Sequence, residues 1–135
     1  MRYMLLIYRG EEELARLTDQ ERHQTINAVH DLMDEWRSTG VLEGAEPLTR
    51  TSTATTVRVQ NGKSLITDGP FAETREQLAG YYILNCKNQE EAVAYAARIP
   101  ICGGSNGCVE VRELPGLPAR VEETVAQAVP ASVNG

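Results

Sequence analysis

The sequence predicts an α+β fold, and three observations predict it. Several short stretches alternate apolar residues at period two, two longer ones carry helix caps and helical spacing, and the two kinds interleave along the chain. At 135 residues there is room for one domain with a sizeable core. Residues 1–114 read as that domain, and residues 115–135 as a tail.

Residues 2–8 set Tyr3, Leu5 and Ile7 on one face and Met4, Leu6 and Tyr8 on the other. A strand apolar on both faces is central and covered twice. Thr18 with Glu21 three residues on is a capping-box signature. It opens a helix running to about residue 38, with Ile26, Val29, Met33 and Trp36 on one face, and Gly40 ends it. Residues 53–60 alternate as a strand, and Asn61-Gly62 is a two-residue hairpin signal leading into residues 64–67. A further strand covers residues 80–86. Asn88 caps a second helix over residues 89–98, with Ala92, Tyr95 and Ala96 inward, stopped by Pro100. Residues 108–114 form the last strand. From Pro115 the composition turns to Ala, Val, Glu and Pro, which reads as a helical or frayed arm.

The order β-α-β-β-β-α-β is the ferredoxin-like plan: an antiparallel sheet with two main helices on one face and an extra hairpin strand. The second apolar face of the first strand then needs a cover that the chain does not supply. A homodimer packed sheet to sheet is the expectation. Val57 and Val59 share a face, as do Val109 and Val111, so Arg58, Glu110 and Arg112 point the other way, toward the partner. Charges there form either a Glu–Arg ladder or the lining of a ligand cleft.

Composition excludes several classes. Hydrophobic content of 41% with 24% charged residues is that of a soluble globular protein, and a net charge of −6 argues against a nucleic-acid surface. No apolar run is long enough to span a membrane, and no secretory signal is visible, which points to the cytoplasm. Cys86, Cys102 and Cys108 are scattered and odd in number, fitting a reducing compartment. With two histidines they lack metal-ligand spacing, and the Gly103-Gly104 loop lacks the strand–loop–helix context of a phosphate cradle. Neither a metal nor an organic cofactor is expected.

The stretch Thr67-Asp68-Gly69-Pro70-Phe71 ends a strand in a fixed turn. Asp68 is either a turn-capping carboxylate or a buried general base with a raised pKa. Phe71 is the only phenylalanine and anchors the loop, and Glu73 with Glu76 opens a helical turn. His23 and His30 lie at the edge of the first helix's apolar face, as surface residues or, for His30, as an acid–base partner of Asp68. Tyr81 and Tyr82 point to opposite faces, so at most one faces a pocket; Tyr82 and Tyr8 complete the candidate lining.

Residues 3–8 (YMLLIY), 55–58 (TTVR), 67–78 (TDGPFAETREQL), 80–82 (GYY), 96–100 (AARIP) and 109–112 (VEVR) together resemble the YCII-related family in its DGPF-domain branch, over residues 1 to about 114. The chain departs from the family's pattern at Glu113-Leu114, which separates the Glu-Val-Arg from Pro115, and at Arg75, where lysine is frequent. The resemblance implies the dimeric α/β-barrel form of the ferredoxin-like fold and a pocket near the dimer interface. It implies a His–Asp pair for the wider family, which puts Asp68 and His30 in catalytic roles. It also implies a functional link to an extracytoplasmic-function sigma factor. The preferred reading is an accessory protein binding an unknown small molecule through Arg58, Phe71, Glu73, Glu110, Arg112, Tyr8 and Tyr82. The alternatives are a cofactor-independent lyase, isomerase or hydrolase acting on an anionic or aromatic substrate, and a purely structural dimer.

Overall fold

Strand β1 (Arg2–Arg9) runs between β5 (Gln77–Asn85) and β6 (Gly107–Leu114), and β2 (Leu42–Pro47) borders β5. The result is one antiparallel sheet in the order β2-β5-β1-β6, the ferredoxin-like arrangement, with the doubly apolar β1 inside it. The computed structural model describes residues 1–101 and 107–122. Cys102, the glycines that follow it and the tail beyond residue 122 lie outside the described residues.

After β1 comes a single turn α1 (Glu11–Leu14) and then the long helix α2 (Asp19–Ser38). The predicted capping box is present: Thr18 Oγ1 accepts the Glu21 N–H at 3.1 Å, and the Glu21 carboxylate accepts the Thr18 N–H at 3.0 Å. The Thr18 N–H, and after it the Thr18 hydroxyl, hold the Glu21 carboxyl below its ordinary pKa. Helix α3 (Gln89–Ala96) begins at Asn88, whose side chain accepts the Glu91 N–H. Both helices pack on the face carrying Tyr3, Leu5 and Ile7. Leu32 and Trp36 from α2, and Ala92 and Ala96 from α3, close the core there against Tyr82 and Leu84. Across the sheet, Met4, Leu6, Tyr81 and Ile83 stay half-exposed.

Two features differ from the sequence expectation. Residues 42–47 were not expected to be a strand, because Leu-Glu-Gly-Ala-Glu-Pro has no β-branched residue and contains Gly and Pro. They become β2 through pairing with β5, and Pro47 is tolerated because β2 is an edge strand. The hairpin β3 (Thr55–Gln60) and β4 (Lys63–Asp68) does form around Asn61-Gly62, both at positive φ. It stands as its own two-stranded sheet and hydrogen-bonds to no strand of the main one.

Near the end of the β1–β5 pairing the register shifts: Ile7 faces Gly80, but Tyr8 faces Leu78. Ala79 is thus the extra residue of a β-bulge, and its carbonyl accepts the Leu48 N–H at 2.8 Å. The bulge bends β5 beside the cavity described next.

Candidate functional site

Between α2 and the β1-β5-β2 part of the sheet lies a cavity of about 750 Å³. Ile7, Tyr82, Ala45 and Pro47 floor it, and the bulge at Ala79-Gly80 forms one wall. Ile26, Val29 and Met33 roof it. The apolar stripe that periodicity assigns to the core therefore divides. Leu32 and Trp36 are buried against protein, Val29 and Met33 are half-buried over the cavity, and Ile26 is 52% exposed at its edge.

The lining also carries polar groups. Arg9 is the last residue of β1, and its Nε is buried with no hydrogen-bond partner. Arg9 takes no part in the ion pairs Arg2–Glu43, Arg22–Asp19, Arg37–Asp34 and Arg98–Glu35. Its charge acts on Tyr82: burial pushes the phenol's pKa up, and Arg9 partly offsets that rise. Glu11 also lines the cavity, but its carboxylate is taken, accepting the Thr51 N–H at 2.8 Å and the Thr51 hydroxyl at 2.7 Å. These bonds fasten the 3-10 turn Thr51–Thr53 to the body and place Arg50 at the mouth. Arg22 is engaged as well, donating to the Leu14 carbonyl and pairing with Asp19.

Among the residues singled out from sequence, His30 and Tyr82 line this cavity. Asp68 does not: it is exposed at the end of β4, paired in register with Thr55. Around it the Asp-Gly-Pro stretch closes the hairpin base. Gly69, at φ 100°, donates its N–H to the Ala54 carbonyl at 2.6 Å and accepts the Thr56 hydroxyl at 2.8 Å. Phe71 is 76% exposed and Glu73 is exposed beside it. Arg58 sits on the hairpin opposite Leu65, outside the main sheet.

Tyr8, Glu110 and Arg112 share the sheet face away from the helices, as the alternation of Val109 and Val111 requires. Tyr8 donates its hydroxyl to Glu110 at 3.3 Å, and burial followed by the Glu110 charge raises the phenol's pKa. The candidates thus occupy three places: the cavity, the outer sheet face and the hairpin with its base. No cluster of His, Cys, Asp and Glu among the described residues is arranged to hold a metal ion.

Arg9 and Arg50 were not singled out from sequence. For Arg9 a signal existed: it continues the alternation Tyr3, Leu5, Ile7 onto the inward face. Arg50 had none, because its position depends on the Glu11–Thr51 contact, forty residues apart.

With the geometry in place, two comparisons bear on it. The family model of the YCII-related domain matches residues 1–115. An uncharacterized protein of Rhizobium meliloti (strain 1021) is 32% identical over 114 residues, covering 84% of this chain and 92% of that protein.

Proposed function

The chain belongs to the YCII-related domain family, and we propose that it binds a small molecule in the cavity between α2 and the sheet. The observation that supports this most is the cavity itself, about 750 Å³ under an apolar helix face. That is within the range of roughly 300–1,000 Å³ typical of ligand sites, whose walls are mostly apolar with a few convergent polar groups. Here the polar groups include Arg9, Tyr82 and His30. The TDGPF stretch supports placing the chain in the DGPF branch. An accessory role beside an extracytoplasmic-function sigma factor, in the cytoplasm, belongs to this reading, since it asks for binding without turnover.

A screen of small organic acids and their neutral analogues by thermal shift tests it. A binder at 100-fold over its Kd adds about 2.7 kcal/mol of stability by mass action. Val29→Trp, which fills the roof of the cavity, is expected to abolish that shift while the unliganded protein still melts cooperatively. A shift undiminished in Val29→Trp would place binding elsewhere and sink the proposal.

A second reading, cofactor-independent turnover, is favoured by His30 and Tyr82 on one cavity: the imidazole would move a proton and the phenol donate to a developing oxyanion. Asp68 stands outside the cavity of its own protomer, so it would join His30 only after hairpin movement or from a second copy. Conversion of any bound compound, lost in His30→Gln, would select this reading over the first.

We also propose the sheet-to-sheet homodimer. Its support is the half-exposed apolar face of Met4, Leu6, Tyr81 and Ile83, flanked by the Arg2–Glu43 ion pair and the Tyr8–Glu110 bond. Sedimentation velocity is expected to give twice the chain mass for the native protein and the single chain mass for Ile83→Asp. A native protein that sediments as a single chain at micromolar concentration would remove the dimer.

A further inference from the structure

We propose that the cavity selects an amphipathic monocarboxylate, with the carboxylate on Arg9 and the apolar body beneath α2. This rests on the reading of the cavity as a ligand site and adds the class of ligand. A guanidinium Nε that is buried without an acceptor has lost its water and gained nothing in return. The Nε itself is closed to the cavity, so a bound anion meets the part of the same guanidinium that lines it and offsets its charge there.

The surrounding groups define the anion. The cavity's own acids do not serve as the partner: Glu11 is held by Thr51, and Glu46 is exposed on edge strand β2. Of the other arginines lining the cavity, Arg22 is bound to Leu14 and Asp19, and Arg37 pairs with Asp34. Arg50 is exposed at the mouth. One half-buried guanidinium suits a single negative charge, and its planar fork matches the two oxygens of a carboxylate. A phosphate dianion would ask for more cations at the same depth. Tyr82, in the electrostatic reach of Arg9, is the neighbouring hydroxyl donor on the cavity floor. Between the helix roof and the sheet floor, Ile7, Ile26, Val29, Met33, Ala45 and Pro47 offer apolar surface, so the body of the ligand is mainly a hydrocarbon or an aromatic ring.

Calorimetric titration of the full chain with phenylacetate, 4-phenylbutyrate and decanoate, each beside its primary amide, and with inorganic phosphate, tests the assignment. At least one acid is expected to bind ten-fold or more tightly than its amide, and phosphate is expected not to compete with it. Arg9→Gln is expected to bring acid and amide within about two-fold of one another. Its unliganded melting temperature should be no lower than that of the native protein, because the substitution removes a half-buried charge whose Nε has no acceptor. Acid and amide binding equally well would overturn the carboxylate assignment and leave the ligand site standing. Absence of all binding would overturn both. A preference for acid that survives in Arg9→Gln, effective competition by phosphate, or a clear loss of stability in the variant would each overturn the role of Arg9. Should Arg9→Gln not fold, which already counts against the assignment, Arg9→Lys separates charge from fork. It is expected to weaken the acid at least three-fold and leave the amide unchanged.

Discussion

Trp36→Ala is expected to lower the free energy of unfolding by about 3–5 kcal/mol, the usual cost of deleting a fully buried large aromatic. Trp36 is wholly buried and meets two other rings edge to face: Tyr82 on β5 at 5.5 Å between centroids and Tyr95 on α3 at 5.4 Å. One side chain thus joins α2, the sheet and the second helix. Such pairs contribute about 0.5–1.5 kcal/mol each beyond the area they bury. An opposing contribution comes from its indole N–H, which is buried with no acceptor. Trp36→Phe removes that orphan donor along with part of the packing, so its cost is expected to be below about half that of the alanine variant. Urea denaturation of the three proteins measures both differences. A loss under about 1.5 kcal/mol for Trp36→Ala would mean that the three rings do not hold the layers together. Because Tyr82 also floors the cavity, the alanine variant should disturb the cavity along with stability.

The second large effect is expected at Gly80. A Cβ built there would lie 2.8 Å from the Glu46 carbonyl oxygen and 3.1 Å from Pro47 Cα. Both are backbone atoms of β2, so relief requires the strands to separate rather than a side chain to turn. Gly80→Ala is expected to destabilise by about 1–3 kcal/mol, in the range of overpacked cores. Gly44→Ala is the control from the same pair of strands. Nothing lies within 4 Å of its added Cβ, and the change should stay within about 0.5 kcal/mol. Equal effects from the two substitutions in equilibrium unfolding would refute the steric account. Hydrogen exchange should localise the Gly80→Ala damage to β2, which carries Ala45 and Pro47 of the cavity floor.

What was legible in the sequence follows the range of each interaction. Thr18 and Glu21 cap α2, Asn88 caps α3, and Asn61-Gly62 turns the hairpin, all through contacts a few residues apart. The two apolar faces of β1 place it inside the sheet without reference to any partner. Residues 42–47 gave no such signal, since their strand conformation is imposed by β5. The cavity was hidden for a related reason. Ile26, Val29 and Met33 satisfy helical periodicity whether they meet side chains or an open volume, and spacing does not separate the two. The reverse holds for Thr67–Phe71. That motif is conspicuous because it is contiguous, yet it closes a hairpin and leaves Asp68 outside the cavity.

The hairpin strands pair with each other and form a sheet separate from the four-stranded one, which sets how the chain can change over generations. Residue pairs may be gained or lost at the Asn61-Gly62 tip without moving the register of any strand in the four-stranded sheet. The closure entropy of a longer arm rises only slowly with length. Selection can thus lengthen, recharge or re-aim the arm while the cavity and core are inherited intact. A fixed joint at Gly69 and a free tip leave the hairpin open to change without cost to the rest of the fold.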